Sequence, residues 1–211
     1  MKKVSRLTLT VALAVGAAGA HAAPIVNFDN APASDGSNLT TPVSGASVID
    51  FNDCQEPSGY VGQGGVVSGS VGGQYAAPLG DSTCYLSVAL NSATGTHTVT
   101  PGGSYNYFGL YWGSIDRYNS LEFYRDNSLF LTLTGSDVIA AGATFGDQIA
   151  PGANRYVNIF LGNDYFDELK FVTTGYAFES DNHAFARVPE PATLALLGAG
   201  LLGFGLRRRK D

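Results

Sequence analysis

Between residues 27 and 187 no stretch of this chain sustains the 3.6-residue period of an amphipathic helix. What recurs is short apolar–polar alternation, broken by Gly, Ser, Thr, Asn and Pro. The clearest run is 105–112. It sets Phe108, Leu110 and Trp112 on one face and Tyr107 and Tyr111 on the other. In 119–125, Leu121 and Phe123 oppose Glu122 and Tyr124. Asp126-Asn127 then reads as a tight hairpin turn, and 128–134 returns with Leu129, Leu131 and Leu133 aligned. Residues 156–161, 167–174 and 176–186 read as three more strands. Earlier in the chain, 25–29, 48–51, 85–89 and 96–100 do the same, while the glycine-rich 59–73 reads as loops or a loosened hairpin. About nine or ten short strands in ~165 residues predict an all-β fold of two antiparallel sheets stacked as a jelly-roll-like β-sandwich. An eight-stranded up-and-down barrel is the alternative. No internal repeat points to a solenoid or propeller.

The ends obey different rules. Lys2, Lys3 and Arg6 precede an apolar run over 7–20, and Ala20-His21-Ala22 has the small-residue pattern of a signal-peptidase site. The expected division is a signal peptide over 1–22, a β-sandwich domain over 23–187 and a separate tail over 188–211. Charge supports the division. Residues 23–189 keep 5 basic and 16 acidic side chains, a net −11. A surface so acidic argues against nucleic acid, whose phosphates require Lys and Arg. Cys54 and Cys84, the only cysteines, are expected to pair in an oxidising compartment. Closing that loop is worth roughly 3–4 kcal/mol on the chain-entropy model.

The tail runs in three parts. Pro189, Glu190 and Pro191 favour extended, accessible backbone. Residues 192–206 carry no charge; as a helix they would span about 22 Å, short of the ~30 Å hydrocarbon core. Arg207, Arg208, Arg209 and Lys210 would hold the end in the cytoplasm by the positive-inside rule. This order closely resembles the PEP-CTERM sorting signal of exosortase substrates. The resemblance implies export, transient anchoring in the inner membrane, processing by exosortase near Pro-Glu-Pro, and release to the cell surface or extracellular polysaccharide matrix. A second resemblance covers 107–116 (YFGLYWGSID), 118–124, 73–78, 135–137, 155–158 and 176–182. These segments are similar to one family of exosortase-dependent surface proteins, which implies a placement and a fold but no enzymatic activity.

Few residues suggest chemistry. His21 departs with the signal, His97 falls among threonines on an expected surface strand, and His183 lies in the last strand. No GxSxG or HExxH pattern accompanies them. Asp116 with Glu122, or Asp167 with Glu168, could be nominated as hydrolytic pairs, but adjacent carboxylates on a strand point to opposite faces. Glu179 and Asp181 share a face. If the first and last strands pair, Asp29 joins them, with Asn182, in an oxygen shell suited to a structural calcium ion. Tyr107, Tyr111 and Tyr124, facing away from the aliphatic core, are candidates to stack on sugar rings. The expected role is non-enzymatic, structural or adhesive against extracellular polysaccharide. A calcium-dependent carbohydrate-binding module and a polysaccharide hydrolase are the alternatives.

Overall fold

The structure is a computed structural model and describes residues 23–189. The expected signal peptide over 1–22, Glu190, Pro191, the expected helix over 192–206 and the basic cluster lie outside the described residues. Among the described residues no helix is long and apolar enough to cross a membrane.

Fourteen strands build the domain. They are β1 (Ile25–Asn27), β2 (Ala31–Pro32), β3 (Leu39–Thr40), β4 (Ser47–Ile49), β5 (Tyr60–Gly62), β6 (Gly64–Ser68) and β7 (Cys84–Val88). There follow β8 (Gly95–Val99), β9 (Tyr107–Trp112), β10 (Asn119–Arg125), β11 (Ser128–Thr134), β12 (Arg155–Phe160), β13 (Glu168–Thr173) and β14 (Phe178–Ala186). A seven-stranded sheet runs β1-β12-β9-β14-β7-β6, with β4 also pairing β14. A five-stranded sheet runs β11-β10-β13-β8-β5, and β2 and β3 form a separate ribbon. Every strand pair is antiparallel. Two open sheets with free edges rule out the up-and-down barrel and bear out the sandwich.

The core lies between the sheets, built from the residues that the alternation aligned. Phe108, Leu110 and Trp112 of β9 meet Leu121 and Phe123 of β10 and Leu169 and Phe171 of β13. Trp112 stacks on Phe178 with ring centroids 4.3 Å apart. The β10–β11 hairpin turns at Asp126 and Asn127, both with positive φ, as a two-residue turn requires.

Two expectations fail. Residues 59–73 hold two strands but no hairpin. β5 joins the five-stranded sheet through β8, and β6 joins the seven-stranded sheet through β7. The chain changes sheets at Gln63, between two glycines. A Cβ on Gly62 would sit 2.4 Å from the Thr96 carbonyl oxygen, and one on Gly64 2.3 Å from that of Ser87. Only glycine allows both backbones so near. The first and last strands do not pair either. β1 sits at an edge on β12, whereas β14 lies inside its sheet between β9 and the β7/β4 side.

Candidate functional site

β9 and β14 are buried on both faces, and this decides where a site can form. The outward face of β9 is roofed by the segment running through β3 and by the loop before β7. Tyr107 and Tyr111 are fully buried beneath them. The Tyr107 hydroxyl donates to Asn158 Oδ1 at 2.7 Å and lies 2.5 Å from Thr41 Oγ1. The Tyr111 hydroxyl donates to the Leu79 carbonyl at 2.5 Å. Asn182, at positive φ in β14, donates through Nδ2 to Ser37 Oγ and the Leu39 carbonyl. Tyr124 stands on the other sheet, half-buried, with its hydroxyl on Glu122 and Lys170 over its ring. The three tyrosines expected to form one exposed stacking face therefore do not. Two lie beneath the roof of the seven-stranded sheet, and the third is on the other sheet.

The expected calcium ligands are also dispersed. Asp29 is exposed, and its carbonyl accepts from Asn158 beside β1. Glu179 and Asp181 do share the outward face of β14, but each has its own partners. Among the described residues no group of three His, Cys, Asp or Glu side chains gathers as a metal cluster.

Asp181 is fully buried, and its Oδ1 accepts from the Asn182 N–H at 2.6 Å. The Asp81 carboxyl lies against it, and Oδ2 of each acid is buried without an N–H or O–H donor. Burial, then the Asp81 charge, pushes Asp181 up to about 9. Burial raises Asp81 as well, against hydrogen bonds from Thr83. One fully buried and one half-buried carboxyl set against each other resist ionising together, so protonation of one favours the pair.

Beside this pair, loops from four parts of the chain enclose a cleft of about 120 Å³. Gln74, Tyr75, Ser114, Asp116, Tyr176 and Glu179 are among the residues that form its walls. Glu179 ties the walls together, accepting the Ala76 N–H at 2.9 Å and the Ser114 hydroxyl at 3.0 Å. Burial pushes its carboxyl up to about 7 despite those bonds. Burial raises Asp116 too, opposed by the Tyr118 hydroxyl, which donates to it at 2.6 Å. Tyr118 also donates to the Tyr176 carbonyl, and a Cβ on Gly175 would press into its ring. Tyr176, in the lining, is 40% exposed. Segments 73–78, 113–116 and 176–182, far apart in sequence, thus meet here. The nominated partners of the acids do not: Glu122 lies on the outer face of β10, bonded to Tyr124.

The two histidines among the described residues, His97 and His183, are core residues. His97 is fully buried, not on the surface, because it points inward from β8 with Gly95 and Val99. Its Nε2 lies 3.0 Å from Glu56. His183 stacks on Phe171, and its ring nitrogens contact Tyr60 and Ser180 hydroxyls at 2.9 Å each. Burial pushes it down to about 3. Ser180 and His183 are near enough for a nucleophile and base, but both are wholly buried, so no substrate reaches them. The Cys54–Cys84 disulfide is formed, with Cα atoms 5.3 Å apart, and ties the loop after β4 to the start of β7.

Beyond the sandwich, residues 187–210 match the family model described as the PEP-CTERM protein-sorting motif. No curated protein and no solved structure matches the chain. The match begins one residue after β14 ends at Ala186. The chain therefore carries, directly behind an all-β domain, the PEP-CTERM sorting motif that marks an exported protein for processing by exosortase.

Proposed function

We propose that the processed body is a non-enzymatic, structural or adhesive component of the cell surface or matrix that holds extracellular polysaccharide in the cleft around Asp116 and Tyr176. In this reading signal peptidase removes residues 1–22 and exosortase releases the body from the inner membrane. The observation that carries it is the make-up of the cleft. Tyr75 and Tyr176 bring aromatic rings to its lining, and Gln74, Gln148 and Asp116 bring groups that can hydrogen-bond sugar hydroxyls. Glu179 supports a binding role over hydrolysis. A hydrolytic acid needs an oxygen free to meet the glycosidic bond, and both Glu179 oxygens are held by Ala76 and Ser114.

The test is retention of the processed protein on the host's own extracellular polysaccharide. Wild type should be retained, with release by soluble oligosaccharide. Tyr176→Ala should be released earlier, because its exposed ring can be lost without opening the core. Equal retention of that variant would remove the cleft from the site. No retention of the wild type would sink the polysaccharide reading, and sugar turnover would replace it with a hydrolase.

A further inference from the structure

The sorting motif does not begin in free chain. β14 ends at Ala186, opposite Tyr107. There the side chain of Asn106 takes over the pairing. Asn106 Oδ1 accepts the Val188 N–H at 2.7 Å, and its Nδ2 donates to the Val188 carbonyl at 2.8 Å. The same Nδ2 donates to the Gly162 carbonyl at 2.8 Å, which fixes the amide against the turn after β12. Arg187 donates through Nε to the Ser104 carbonyl at 2.7 Å. The Val188 side chain packs on the small cluster of Tyr107, Ala184 and Ala186. Both backbone groups of Val188 and its side chain are thus committed to the sandwich.

This has a consequence for reach. The uncharged run starts at Ala192, four residues beyond Val188. Fully extended, that leash covers at most about 14 Å. An enzyme embedded in the membrane that grips Pro-Glu-Pro must therefore meet the end of the sandwich. That end holds a concavity of about 260 Å³ lined by Tyr105, Asn106, Gly162, Tyr165 and Arg187, with Pro189 at its edge.

We infer that this end face, with Val188 clamped by Asn106, is a docking surface for the membrane-embedded processing enzyme, and that Asn106 is a positioning residue which holds the motif in register with it. The inference rests on the exosortase reading of the tail.

Pulse–chase of the full chain in its own host, following precursor and processed forms, tests it with three variants. Replacing Pro189, Glu190 and Pro191 by alanine checks the reading alone and should block processing. Asn106→Ala removes both clamp bonds and should slow processing several-fold. A Gly-Ser-Gly-Ser spacer inserted between Val188 and Pro189 leaves every sandwich residue intact and should slow it likewise, by lengthening the leash. The spacer variant decides the matter if Asn106→Ala fails to fold, which protease resistance of the sandwich in the same extracts reports. Wild-type or faster processing of the spacer variant would overturn the docking surface. Normal processing of the alanine-replaced motif would instead sink the exosortase reading itself.

Discussion

Asp81 and Asp181 meet carboxyl to carboxyl beneath the loop that covers the seven-stranded sheet, each with one buried oxygen that no N–H or O–H reaches. Besides each other, the charge that acts on both is a carboxylate's. Asp35 contributes a further negative one, held ionised against its burial by hydrogen bonds from Ser37 and Asn52. Tyr111 and Tyr156 stay neutral, because burial raises both. A proton shared between the two carboxyls would offset their repulsion.

Stability should therefore fall as pH rises. Asp181 is raised from its ordinary 3.8 to about 9, and Glu179 from 4.5 to about 7. The folded state binds protons that the unfolded chain releases, so the contribution is complete below pH ~4 and lost on the way through the folded values. Thermal unfolding followed by circular dichroism should show Tm falling by roughly 5–10 °C between pH 5 and pH 9. Asp181→Asn, which supplies a permanent donor to Asp81, should flatten that dependence. A Tm that rises over the same window would contradict the shared proton.

Tyr111 should behave as a structural residue. Tyr111→Phe removes one hydrogen bond to Leu79, which keeps the amide of Asn38, so the cost should be about 1 kcal/mol or less. Tyr111→Ala leaves a cavity under the roof and should cost about 3–5 kcal/mol. Urea unfolding measures both. Polysaccharide retention should be unchanged in the phenylalanine variant, and its loss there would return Tyr111 to the binding site.

The disulfide closes 30 residues of chain, including the crossover between sheets at Gln63. Replacing Cys54 and Cys84 by alanine together should lower stability by roughly 2–4 kcal/mol. Unfolding midpoints in denaturant, unchanged within error, would show that the staple contributes nothing.

Calcium should leave the domain's melting temperature unaltered. Asp29 is exposed at one edge, Glu179 is satisfied by Ala76 and Ser114, and Asp181 faces Asp81. Paired melts in excess calcium and in chelator at pH 7 check this. A higher Tm with calcium, abolished by Asp181→Asn, would replace the shared proton with a cation.

Much of the fold was legible because strand periodicity is local. The alternation in 105–112, 119–125 and 128–134 located three strands and the inward side of the first two, and the Asp126-Asn127 turn followed from residue type alone; in 128–134 a register shift opposite Phe123 and Tyr124 leaves Leu129 exposed and packs Phe130 with Leu131 against the core. The sequence also carried an unread sign that β9 is covered twice. YFGLYW has no charged residue on either face, the pattern of a strand buried on both sides. Read as one buried and one open face, it placed Tyr107 and Tyr111 in solvent.

By itself, then, the sequence determined the sorting motif, the disulfide partners and the two-sheet character, since each depends on neighbours in the chain or on there being one pair to form. The tertiary structure alone decided which acids meet. Asp81 finds Asp181 across 100 residues, and Glu179 accepts from Ala76 and Ser114. Those encounters depend on which loop lies over which strand, and the energy of a buried carboxyl is set by whatever lies within a few ångströms of it in space.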